Sequence, residues 1–179
     1  NYIMDLEAKV KNEKIIDFVR AVSPILYRLF YRLAKREVPN FETFIHDAKN
    51  AQYDTWLFHK MKQSDYPIFH QYLAIRRDDK ITTKSLSELL QYSHLPYDLK
   101  EIIRELRQFE RSVRNPLAHL IKPFDEEELH RTTNFSSQDF LNKIITLASY
   151  AGIHYDRYHF YFDSVNELIK QEMRSHYDW

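Results

Sequence analysis

The sequence predicts an all-α fold, and two observations carry that expectation. Gly152 is the only glycine in the chain, whereas the hairpin turns and bulges of a β-rich fold call for many. Apolar residues also recur at helical spacing over long stretches, as at Ile15, Ile16, Val19, Val22, Leu26, Leu29, Phe30 and Leu33. A length of 179 residues suits one helical domain over 1–179, long enough to bury about 70% of its unfolded surface without disulfides.

The elements follow in order. Residues 3–36 form one helix or two, because Ser23-Pro24 can cap a new helix or kink a continuous one. Pro39-Asn40 punctuates, and Asn40 stands where it would cap a helix carrying Phe41, Phe44, Ile45 and Ala48. Residues 53–75, with Tyr53, Trp56, Phe58, Tyr66, Phe69 and Tyr72, read as one or two helices interrupted near Asp65-Tyr66-Pro67. RRDDK (76–80) is a loop, and Thr83 or Ser85 caps a short helix through Leu86, Leu89 and Leu90 that ends before Pro96. Residues 97–114 make the strongest helix, turning Leu99, Ile102, Ile103, Leu106, Phe109 and Val113 to the core. Residues 121–137 read as a connector. Ser136 then opens a helix with Asp139 at its third position, a capping-box arrangement, and Gly152 is placed to end it. A last helix is expected over about 158–175.

Composition excludes several classes of function. There is no cysteine, hence no thiolate zinc site and no cysteine nucleophile, in keeping with a cytoplasmic protein. Lys+Arg and Asp+Glu balance at 26 each, so contact with nucleic acid would need a local cluster of charge. No apolar run approaches the length of a membrane span, and no signal-peptide pattern opens the chain. The opening NYIMDLEAKVKNEKIIDFV reads as a helix already under way, and a further domain upstream is expected.

The stretch RQFERSVRNPLAHLI (107–121) carries the chemistry. Arg104, Arg107, Arg111 and Arg114 are spaced 3, 4 and 3 apart, which sets four guanidinium groups on one side of a helix. Taken alone, such a stripe reads as a solvated face, with Glu101, Glu105 and Glu110 interleaved and Glu110 to Arg114 an i,i+4 pair. The stripe leads into Arg114-Asn115-Pro116 and then His119. The Arg-x4-His spacing by itself is expected about once by chance in a chain of this composition. Five residues of straight helix turn about 500°, leaving Arg114 and His119 some 140° apart. Pro116 bends or restarts the helix and frees the pair from that constraint. If the helix restarts, Asn115 is its N-cap and His119 lies near a positive helix end that suits a phosphate. The bland alternative is a helix boundary followed by a partly buried surface histidine.

RNPLAH, late in a helical chain and followed by a loop and a capped, glycine-terminated helix, resembles the R-x4-H motif of HEPN ribonuclease domains. It is most similar to the HEPN domain that ends the CARF–HEPN ancillary ribonucleases of type III CRISPR systems, with the detailed match over 97–152. The resemblance implies a two-fold symmetric helical dimer whose composite site cleaves single-stranded RNA, with Arg114, His119 and Asn115 catalytic. Arg107, Arg111 and Arg104 would line the approach as phosphate contacts. It implies no metal and no cofactor in this chain, products with a 2′,3′-cyclic phosphate and a 5′-hydroxyl, and no action on DNA or membranes. Cyclic oligoadenylate would act only at a domain absent from this chain. The competing reading is a non-catalytic helical module for dimerisation or partner binding.

Other motifs rank lower. Glu127-x-x-His130 has the spacing of a di-iron bundle ligand pair but occurs once where two are needed. His154 and His159 fall in an aromatic run and read as packing at a helix start.

Overall fold

The computed structural model describes residues 2–49, 51–118 and 124–153. Helix α1 (Tyr2–Lys11) is followed by α2 (Ile15–Glu37), and the break between them falls at Asn12-Glu13-Lys14, where Glu13 adopts a φ of 55°. The split that Ser23-Pro24 offered does not occur: α2 passes through Pro24. A proline in a helix interior costs about 3 kcal/mol. Burial of Val22, Ile25 and Leu26 on either side, at roughly 1.5–3 kcal/mol each, offsets that cost. Phe18, Val22, Leu26, Phe30 and Leu33 form one fully buried stripe along α2.

The helix expected after Asn40 is instead a 3-10 turn, Phe41–Phe44, followed by strand β1 (Ile45–His46). Asn40 sits in the left-handed region with φ 54° and its side chain caps nothing. β1 pairs antiparallel with β2 (Thr55–Trp56), which takes Trp56 out of the helix expected there. Helices α3 (Phe58–Gln63) and α4 (Pro67–Tyr72) follow, interrupted at 64–66 as the sequence suggested. The 76–80 loop is laced to the ribbon: Trp56 N–H donates to the Asp79 carbonyl at 2.7 Å and Ile81 N–H to the Asp54 carbonyl at 2.8 Å.

Helix α5 (Thr83–Leu90) is capped by Thr82, with Ser85 closing the reciprocal box, one residue earlier than expected. Helix α6 runs Tyr97–Ala118, past the expected end at Arg114 and through Pro116. The restart is thereby excluded, because Asn115 is helical and no helix N-terminus stands at Asn115-Pro116. The supposed connector holds α7 (Glu126–Thr133), capped by the Asp125 carboxylate. Helix α8 (Ser137–Tyr150) opens on the Ser136–Asp139 box as read from sequence. It closes at Gly152 with φ 77°, where Gly152 N–H donates to the Ser149 carbonyl and Ile153 N–H to the Ala148 carbonyl. That pair of bonds is a Schellman closure, which needs the left-handed conformation glycine adopts freely. The helix expected near 158–175 lies outside the described residues.

The described chain is thus all-α apart from the short β1–β2 ribbon. Its core joins α2, α6 and α8 through Phe140, whose ring lies 4.1 Å from Phe109 and edge-on to Phe18 at 5.6 Å. A second aromatic cluster seats the ribbon on α2 and α4: Phe41 lies 5.3 Å from Tyr31 and 5.8 Å from Trp56, and Trp56 lies 6.1 Å from Tyr72. No helix among the described residues is long and apolar enough to cross a membrane.

Candidate functional site

Helix α6 is amphipathic. Leu99, Ile103, Leu106, Phe109 and Val113 are buried, and Arg104, Arg111 and Arg114 are exposed on the other side. Arg107 is half-buried between them, and Glu110, read from sequence as part of a solvated face, is 3% exposed. A buried carboxylate needs partners. Glu110 has two: it accepts a 2.6 Å hydrogen bond from the Ser23 hydroxyl of α2, and it pairs with Arg107 at 3.3 Å. Its ion-pair partner is therefore Arg107 rather than Arg114. The Arg107 Nε is buried and has no hydrogen-bond partner among the described residues.

The four arginines differ in what holds them. Arg104 pairs with Glu101, donates to the Gln91 side chain at 3.0 Å and lies 5.5 Å from the Tyr97 ring. Arg107 is committed to Glu110. Arg111 and Arg114 have no ion-pair partner among the described residues. Of the sequence-predicted catalytic set, Arg114 is exposed on α6, Asn115 lies within the same helix, and His119 is outside the described residues.

Arg107, Glu110 and Arg114 also line a groove of about 920 Å³, whose other wall the sequence reading did not foresee. It is built by the loop before α5 and by α5 itself, with Arg76, Arg77, Lys80 and Lys84, together with Ser23 and Tyr27 of α2 and Tyr53 beside the ribbon. A smaller hollow of about 340 Å³ adjoins it, sharing Lys84, Glu88 and Arg107 and adding Arg104 and Arg111. Arg77 is a fixture of this wall. Its guanidinium pairs with Glu88 at 2.8 Å, donates to the Tyr72 carbonyl at 2.8 Å and sits 4.5 Å from the Tyr72 ring. Burial pushes the Tyr72 phenol up to about 12, so it stays neutral beside that cation. Burial, and then the charge of Asp54, likewise raise the Tyr27 phenol.

Among the described residues no group of three or more histidine, aspartate or glutamate side chains is placed to hold a metal. Glu127 and His130 stand on α7 with no such companion. His154 and His159 lie outside the described residues. Neither the burial of Glu110 nor the basic loop has a local signature: the first depends on Ser23, 87 residues away, and the second on a tertiary contact.

A search of curated proteins finds no match. Residues 1–170 match the Cas_Csm6 HEPN domain, nearly the whole of the 179 residues, and the chain belongs to that family.

Proposed function

We propose that this chain is a metal-independent endoribonuclease acting on single-stranded RNA in type III CRISPR antiviral defence, with its site assembled from two copies at a two-fold interface. The observation that carries the reading is the family match over 1–170 in a chain that carries RNPLAH at 114–119, with Arg114 on α6. The exposed Arg114 guanidinium, free of ion pairs among the described residues and at the edge of a basic groove, supports it.

The chemistry follows from the substrate. RNA carries its own nucleophile, so the enzyme supplies proton transfer and charge stabilisation. His119 of one copy takes the proton from the 2′-hydroxyl as that oxygen attacks the adjacent phosphorus. Arg114 holds the phosphate oxygens as negative charge builds on them, its planar fork matching their geometry. His119 of the second copy protonates the departing 5′-oxygen, leaving a 2′,3′-cyclic phosphate and a 5′-hydroxyl. Asn115 orients the pair or donates to the phosphate. DNA lacks the 2′-hydroxyl and is not cleaved.

The test is cleavage of single-stranded RNA in EDTA by the parent, His119→Ala and Arg114→Ala. Cyclic-phosphate products from the parent, lost in both variants while the dimer persists, are expected. Undiminished cleavage by either variant would overturn the assignment. A parent that is inert, in isolation and within any longer natural protein, would favour the non-catalytic module.

A further inference from the structure

Charge in the groove beside Arg114 is unevenly available. Four carboxylates line it: two are paired with guanidinium groups, and two accept a backbone N–H and keep their charge. Glu88 is held by Arg77 at 2.8 Å, and Glu110 by Ser23 and Arg107. Asp78 accepts the Lys80 backbone N–H at 3.0 Å, and Asp54 accepts the Ala48 N–H at 3.3 Å. The basic residues divide differently. Arg77 and Arg107 are spent on those carboxylates, whereas Arg76, Lys80, Lys84 and Arg114 are exposed. Lys84 reaches Glu88 only at 3.9 Å and keeps 69% of its side chain in solvent. Six cations line the groove against four carboxylates, so a chain of zero net charge carries a local excess of positive charge there, most of it on the exposed side chains.

Two of the few exposed large apolar side chains stand in the same groove, Tyr53 and Ile75. The Lys80 ammonium lies 5.9 Å from the Tyr53 ring. Cations alternating with an exposed aromatic face suit a single strand, whose phosphates want charge and whose unpaired bases want a surface to stack on. A duplex buries its base faces and has no use for the ring.

We propose that Arg76, Lys80 and Lys84, with Tyr53 beside them, hold a stretch of single-stranded RNA in the groove that Arg114 also lines, as a binding site outside the scissile position. The proposal rests on the ribonuclease reading and adds to it a set of residues that position substrate without touching the reacting atoms. Long RNA gains affinity from this track, and fragments of a few nucleotides do not. Removing the track raises KM for long substrates and leaves kcat in place, because no proton or charge at the scissile phosphate is altered.

The deciding experiment measures binding apart from cleavage. A fluorescent, fully 2′-O-methylated single-stranded RNA, which lacks the nucleophile, is titrated against the parent, against R76E/K80E/K84E, and against a charge-matched control, K35E/K60E/K62E, whose positions do not line the groove. Thermal unfolding confirms that each variant folds. The groove variant is expected to bind about tenfold or more weakly, with the salt dependence of log K reduced by about 2, as for the loss of three single-strand phosphate contacts at about 0.7 each. The control is expected within about twofold of the parent. Equal weakening in both variants, or parent-like binding by the groove variant, overturns the proposal, and the latter is also the outcome if the groove receives a protein segment instead. A separate arm with His119→Ala and unmodified RNA reads the cleavage assignment alone. Loss of that assignment with groove-dependent binding intact would leave this site standing.

Discussion

The two halves of the arginine stripe on α6 repeat one pattern and serve different ends. Arg104 and Arg107 are bound into their surroundings by Glu101, Gln91 and Glu110, whereas Arg111 and Arg114, further along the same face, have no ion-pair partner among the described residues. The difference is not in the arginines but in what α2 and α5 bring against them. Ser23 and the buried Glu110 draw the middle of the helix onto α2, and Gln91, beyond α5, takes up Arg104. A guanidinium already holding a carboxylate offers less to a phosphate, so availability rather than spacing separates the structural half from the half open to a ligand.

That contrast is breakable at four points. Glu110→Ala is expected to have the largest effect, about 3 kcal/mol of lost stability, because it removes the charged acceptor of both the half-buried Arg107 and the Ser23 hydroxyl. The shift in denaturation midpoint at constant m-value reads it. Arg114→Ala comes next: cleavage falls by about 100-fold, as for removal of a donor that stabilises developing charge, while the denaturation midpoint stays near that of the parent. Ser23→Ala should cost about 1.5 kcal/mol, the worth of a hydrogen bond to a charged acceptor, measured in the same denaturation experiment. Arg104→Ala should cost only a few tenths of a kcal/mol, since both partners of the Glu101 pair are well exposed. It should weaken RNA binding less than Arg111→Ala does. If Arg104→Ala weakened binding more, the division drawn here would be wrong.

The same contrast marks what was legible in the sequence. Helical periodicity gave α5, α6, α8 and the apolar face of α2, though not the break at 12–14 that divides α2 from α1, and the Ser136–Asp139 box and Gly152 fixed both ends of α8 because those signals are local and chemically specific. The segment after Asn40 misled because Phe41, Phe44 and Ile45 have the spacing of a helix face. A 3-10 turn followed by a strand buries Phe41 and Phe44 just as well. Helix α7 escaped because it buries one residue, Leu129, and so has almost no periodicity. Its Asp125 cap and the acids of its first turn were the signal to be had. At the site, the arginine stripe was visible, but its division into engaged and open halves was not. The loop that faces it carries no motif and matters only because the fold brings it there.

Arg77 has a consequence for how the groove meets a ligand. Its guanidinium is held by a carbonyl, a carboxylate and an aromatic face at once, and the backbone that follows it is stitched to the ribbon at Asp79 and Ile81. The loop is therefore in place before anything arrives. The backbone positions from which its cations project are set in advance, like the roots of a comb's teeth, so association does not wait on ordering the loop and little backbone entropy is lost there. A lysine at position 77 would keep the charge and lose the fork, and the comb would become a fringe.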